Sequence, residues 1–206
     1  MKLGCLAVSI VVIVILLAVA GVTAFIGVSI NNEIIRQDEQ VKNLWAKVES
    51  QYQRRYDLIP NIVASVQGEA NFEKGTLAAV TEARSQMGGV IKMDEKMLSD
   101  KQAMKAFQEK QATLGGALQR LMAVTENYPE LKSNAAFKDL RTELEGTENR
   151  IATARNDYNE GVKEYNYYIR KFPNSIFAIF SGVTPKVPFS ADPGTNAAPK
   201  VQIDIK

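Results

Sequence analysis

Residues 134–172 read NAAFKDLRTELEGTENRIATARNDYNEGVKEYNYYIRKF, and in them Phe137, Leu144, Ile151, Tyr158, Tyr165 and Phe172 recur at every seventh position. A second row, Leu140, Thr147, Ala154, Gly161 and Tyr168, follows three residues behind. This is the seam of a helix that packs lengthwise against other helices at a shallow angle. At about 1.5 Å per residue the stretch makes a rod of roughly 57 Å. A stripe that long is buried only by partners of similar length, so the rest of the chain must supply them.

The preceding sequence does. A third helix carries Met97, Met104, Gln111, Leu118 and Thr125 in one row and Phe107, Leu114, Leu121 and Tyr128 in the other. Asp94 is its expected N-cap and Pro129 its stop, and Ser133 or Asn134 caps the helix that follows. Methionine at heptad spacing reads as core filling more readily than as a binding groove. A second helix runs from Phe72 or Thr76 to Met87, between corners at Gly68–Gly75 and Gly88-Gly89, with Leu77, Val80, Ala83 or Arg84, and Met87 facing inward. The first runs from Glu33 to Glu69 on Ile34, Val41, Leu44, Trp45, Val48, Tyr52, Ile59, Ile62 and Val66. Pro60 removes one of its hydrogen bonds and crowds the carbonyl of Tyr56, predicting a kink. The expected fold is all-α: an antiparallel up-and-down four-helix bundle with long helices over residues 33–172.

Leu3 to Asn32 contains no charged residue, and Leu6 to Ile30 is dominated by Val, Ile, Leu and Ala. A bilayer takes about 20 such residues. A cleaved signal peptide would have a shorter apolar region, and a lipoprotein signal would place it before Cys5, so residues 1–32 read as an uncleaved single-pass anchor contacting membrane lipid through residues 3–30. No turn signal separates anchor from bundle, so one continuous rod is expected. The favoured orientation is N-terminus inside and bundle outside the cell. Residues 173–206 open with the apolar run Ile176, Phe177, Ile179 and Phe180, which either tucks against the bundle end or is exposed for a partner or lipid. From Pro185 the prolines predict an extended or disordered tail.

With 25 basic and 23 acidic residues the net charge is +2, which supplies no basic face for nucleic acid. There is no histidine, and Cys5 is the only cysteine. That removes the commonest general base, disulfide frameworks, and Cys-based zinc sites. No cofactor is expected.

The run Arg54-Arg55-Tyr56-Asp57-Leu58-Ile59-Pro60-Asn61-Ile62-Val63 resembles the RRxDLIPNLV segment of the LemA family. Glu143 to Ile151 resembles that family's ELExTENRI segment, continuing through Ala154-Arg155, Tyr158-Asn159, Val162, Tyr165-Asn166 and Phe172-Pro173. Thr81-Glu82-Ala83-Arg84, Tyr128-Pro129-Glu130-Leu131 and Ala198-Pro199-Lys200-Val201 match as well. Gly146 departs from a bulkier residue often seen in that place. The resemblance implies a bacterial protein with an N-terminal anchor, an antiparallel four-helix bundle and no established reaction. It also implies an association with envelope processes, including membrane metalloproteases as partners.

The matched polar residues are the candidate site: Arg54, Arg55 and Asp57 on the first helix, and Glu145, Glu148, Arg150 and Arg155 with Glu143 on the last. Arg55 falls on the apolar row of Ile34, Val41 and Val48, so it must lie at an edge or pair with a carboxylate of another helix. Di-iron bundles use Glu-x-x-His on two helices, which a chain without histidine cannot supply. Glycoside hydrolysis needs two carboxylates across a sugar-binding cleft. The residues therefore read as a polar network fixing helix register, or as a partner surface. The expected function is that of a membrane-anchored, non-enzymatic scaffold or adaptor for envelope proteins, either as a single chain or as a homo-oligomer. The alternatives are a transmembrane signalling component and a membrane-remodelling factor.

Overall fold

The computed structural model describes residues 2–69, 72–87 and 95–190. Those residues are helical with extended connections, and no strand occurs among them. The elements are α1 (Lys2–Gln67), α2 (Lys74–Gln86), a 3-10 turn (Glu95–Ser99), α3 (Lys101–Thr125), α4 (Pro129–Ser133), α5 (Ala135–Arg170) and α6 (Asn174–Phe180).

Helix α1 is unbroken over 66 residues. Its N-terminal part is the one helix among the described residues long and apolar enough to cross a membrane, and none of that stretch is buried against the rest of the protein. The helix continues through the expected anchor boundary at residue 32, and Pro60 does not stop it. Because Pro60 has no N–H, the Tyr56 carbonyl lacks its intrahelical donor. Arg84 of α2 approaches that carbonyl through Nε at 3.5 Å, with its guanidinium 4.1 Å from the centre of the Tyr56 ring.

Contacts along α1 and α5 fix their relative direction. Arg54 meets Glu143, Gln51 meets Arg150, Trp45 meets Tyr158 and Leu44 meets Gly161, so the two helices run antiparallel. Tyr52 lies against Phe107 and Arg55 against Gln111, so α3 runs parallel to α1.

The core divides in two. Residues 59–66 of α1 join Phe72, Val80, Ala83 and Met87 with Leu114, Leu118 and Leu121 of α3 and Leu131, Phe137 and Leu144. Nearer the apolar span, Ile30 to Tyr52 of α1 join Leu98, Met104, Phe107, the α5 residues Ile151 to Ile169, and Ala178 and Phe189. At 13 residues, α2 falls within the expected span of Phe72 or Thr76 to Met87, and it lines only the first of these cores.

In the second core the C-terminal segment takes its place. Expected as a tail, residues 183–190 are extended but fastened to α5. Asn159 Nδ2 donates to the Phe189 carbonyl and its Oδ1 accepts from the Phe189 N–H, at 3.2 and 2.7 Å. Asn166 makes the same pair of bonds with Lys186, both at 2.8 Å. Tyr158 and Tyr165 donate their hydroxyls to the carbonyls of Val187 and Thr184 at 3.1 and 3.3 Å. The two spacings match: seven residues of helix rise about 10.5 Å, and three residues of extended chain span about 10 Å. The Phe189 ring then stacks on Trp45 and meets Tyr158 edge-on, with centroids 5.8 and 5.5 Å apart.

Two further expectations are corrected and one holds. Asp94 lies outside the described residues, and the N-cap of α3 is Asp100, whose carboxylate accepts from the N–H groups of Gln102 and Ala103. Asn134 caps α5, as one of the two expected candidates. Phe172 does not close the α5 seam; it is 81% exposed, and Ile169 is buried instead. A straight helix turns by 3.6 residues and drifts off a strict seven-residue repeat, so the buried face moves from Tyr158 and Gly161 to Val162, Tyr165 and Ile169. Residues 191–206, including the Ala198–Val201 match, lie outside the described residues, as does Gly88-Gly89.

Candidate functional site: a polar layer between two cores

Arg55 lies one helical turn from Tyr52 of one core and Ile59 of the other. Gln111 likewise separates Phe107 from Leu114, and Glu148 separates Leu144 from Ile151. The three side chains therefore meet at the level where one apolar core gives way to the next. Arg55 is 3% exposed. Its Nη1 donates to both carboxylate oxygens of Glu148 at 3.1 and 3.2 Å. Nη2 donates to the Gln111 carbonyl at 3.3 Å and to the Gln111 side-chain oxygen. The guanidinium also lies 5.0 Å from the centre of the Tyr52 ring.

A buried guanidinium without a counter-charge costs several kcal/mol, so Glu148 is what makes Arg55 tolerable there. The carboxylate is 42% exposed, so the pair desolvates one partner far more than the other. Arg55 Nε and Gln111 Nε2 are buried without a protein acceptor, which makes the layer poorer in energy than an apolar one would be.

Beside it, Arg54 Nε donates to Glu143 at 2.6 Å. Arg150 spans the same junction, donating from Nε to Gln51 at 3.2 Å and from Nη2 to Thr147 at 3.0 Å, with Glu143 at 3.5 Å. Arg54, Arg55, Glu143, Glu148 and Arg150 thus form one tie between α1 and α5. Asp57 and Glu145 are outside it. Asp57 accepts from Gln53 on its own helix at 2.8 Å, and Glu145 from Arg141 on its own helix at 2.9 Å. Both point along the flank, where neighbours four residues away are the natural partners. Arg155 serves the C-terminal segment: its guanidinium lies 4.9 Å from the Phe189 ring centre, and Nη2 reaches the Ser190 carbonyl at 3.4 Å.

One contributor has no charge. Gly115 and Gly116 lie inside α3 beside this layer, where a Cβ on Gly115 would meet Arg55 Nη1 at 3.7 Å and one on Gly116 would meet nothing within 4 Å. The missing side chains leave a cleft of about 490 Å³ over Arg55, Gln111 and Glu148. Two helix-interior glycines cost about 1 kcal/mol each relative to alanine, a signal readable in sequence. Among the described residues no group of three or more His, Cys, Asp or Glu is gathered as metal ligands would be.

The LemA family model matches residues 44–203, which includes both arms of this tie. The chain belongs to the LemA family. It is 31% identical over 183 residues to Magnetosome protein MamQ 2 of Paramagnetospirillum magneticum, covering 81% of this chain and 67% of that one. It is 30% identical over 161 residues to Magnetosome protein MamQ of Magnetospirillum gryphiswaldense, covering 71% and 58%. Protein LemA of Metamycoplasma hominis is 25% identical over 152 residues, covering 74% and 65%. The chain thus spans about two thirds of the length of these relatives. In this LemA-family chain the conspicuous RRxDLIP-like and ELExTENRI-like segments face each other across α1 and α5.

Proposed function

We propose that this LemA-family protein is a membrane-anchored, non-enzymatic scaffold: an antiparallel up-and-down four-helix bundle held at a fixed attitude on its own transmembrane helix. The observation that carries the reading is the unbroken course of α1 from its apolar N-terminal part into both cores. A partner gripping the bundle would be held to the membrane through a rod without a hinge. The polar residues support the same role, since Arg54, Arg55, Glu143, Glu148 and Arg150 hold the two longest helices in register. The bundle faces outward from the cell and docks another envelope protein or a second copy of the chain; a membrane metalloprotease is one such partner.

Chemical crosslinking in the native membrane tests this. The expected product contains the chain joined to a second copy or to a specific envelope protein; recovery of monomer alone would overturn the scaffold reading. The same unbroken helix favours one rival, a signalling component that transmits a state across the bilayer. That rival requires working parts on both faces, which mapping the topology by protease accessibility in intact and lysed cells would reveal.

A further inference from the structure

Helix α6 is placed where a soluble bundle would not place it. Gly27 of α1 accommodates the Phe177 ring directly on its backbone: a Cβ there would lie 2.7 Å from Phe177 Cε1. Ser181 donates its hydroxyl to the Asn31 side-chain oxygen at 3.0 Å. These contacts hold α6 beside residues 27–31, on the span side of Glu33, the first charged residue after the uncharged run. That run of thirty residues is about 45 Å long as helix, more than the roughly 30 Å of hydrocarbon in a bilayer. The run is therefore long enough to reach beyond the hydrocarbon, and its last turns are the ones that adjoin the charged part of α1.

The faces of α6 divide accordingly. Ala178 is buried and Phe177 half-buried against the bundle, while Ile179 and Phe180 are 80% and 86% exposed and Ile176 is 47% exposed. Phe25 and Val28 of α1, beside the Gly27 position on which α6 packs, are exposed as well. No residue of α6 carries a charge. Further from the span, exposed Tyr167 and Phe172 flank Lys171, whose Nζ lies 4.6 Å from the Tyr168 ring centre. Apolar side chains, then aromatic rings and a lysine, is the order in which side chains partition through a membrane interface.

We propose that α6 is a second membrane contact, lying in the plane of the leaflet from which α1 emerges, with Ile176, Ile179 and Phe180 inserted at the boundary between headgroups and acyl chains. The occupant of this face is lipid. The inference rests on the reading of the α1 N-terminal part as a bilayer span. With α1 crossing and α6 lying flat beside it, the bundle has two anchors and can neither roll nor tilt freely.

The test uses the full chain with Cys5→Ser, reconstituted into vesicles of phosphatidylethanolamine and phosphatidylglycerol containing shallow nitroxide-labelled lipid. A polarity-sensitive fluorophore is placed in turn through Phe180→Cys, Ile179→Cys, Val14→Cys and Glu130→Cys. The expected result is blue-shifted emission, quenched by the lipid nitroxide, at positions 180 and 179, and red-shifted, unquenched emission at 130. Lipid-exposed emission at 14 with water-exposed emission at 179 and 180 would overturn the inference and leave the span reading standing. Water-exposed emission at 14 as well would overturn both. Emission at 180 shielded from lipid nitroxide and from aqueous iodide alike would assign the face to protein and overturn the lipid contact.

Discussion

Arg55 is tolerated in the interior because Glu148 and Gln111 reach it from two other helices, and this makes its worth measurable. Glu148→Ala is expected to cost about 3–5 kcal/mol because it strands the buried Arg55 guanidinium without its counter-charge, and Arg55→Ala about 1–3 kcal/mol because the carboxylate it leaves behind is partly solvated. In a double-mutant cycle, followed by denaturant unfolding of the full chain in detergent, the two losses should couple by about 1 kcal/mol or more. Independent, additive losses would contradict the pairing. Exchanging the two charges restores only part of the loss, since a carboxylate at position 55 would face the Gln111 carbonyl.

Titration offers a second test at this scale. Burial pushes Tyr165 up to about 12 from 10.0, helped by the Asp38 carboxylate, and burial pushes Tyr158 further in the same direction. A raised folded value means that the stabilisation is complete below pH 10 and is lost as the pH rises from there towards 12. Ionised, neither hydroxyl can donate to the C-terminal segment. Melting temperature should therefore fall over that window, and the fall should be smaller in a Tyr158→Phe, Tyr165→Phe variant. An equal fall in both would show that the tyrosines are not responsible. The arginine was legible in sequence because a charge interrupts an apolar row. Asp57 and Glu145 bond within their own helices, and spacing alone does not distinguish such a partner from one across the interface.

Among elements, the glycines of α3 and α5 separate two causes. Gly116→Ala meets open space and should stabilise the protein by about 1 kcal/mol. Gly161→Ala places a Cβ 2.5 Å from Leu44 Cδ1, so the same gain is expected to be cancelled or reversed unless Leu44 is also shortened. Thermal unfolding of both variants decides it, and equal gains would refute the close approach of α1 and α5. The C-terminal segment makes a stronger prediction. Phe189 is buried against Trp45 and Tyr158, so Phe189→Ala should cost about 3–5 kcal/mol, where a free tail would lose almost nothing. Helices announce themselves by period, so α1, α3 and α5 were legible from their apolar rows. Proline and glycine mask an extended segment, whose order comes from another element's side chains. The trace it did leave is the repeated Tyr-Asn pair at 158–159 and 165–166, seven residues apart and matched to residues three apart in the segment.

For the whole molecule, two cores stacked along one continuous helix give a rod that rises from the membrane without a joint. The distal core is closed by α2 and the proximal one by the C-terminal segment, with the Arg55 layer between them. Lys186 ties that segment back to α1 through Asp38 at 2.8 Å. Burial alone would raise the Asp38 carboxyl, but its bonds to Lys186 and Lys42 outweigh that and hold it below its ordinary value. The scaffold reading and the proposed lipid contact of α6 both depend on α1 passing from span to bundle as one helix. Amide hydrogen exchange across residues 24–41 of the full chain in lipid vesicles tests this most directly. Slow exchange continuous from the span to Val41 is the predicted result; a fast-exchanging break between Asn31 and Gln37 would reveal a hinge and contradict it.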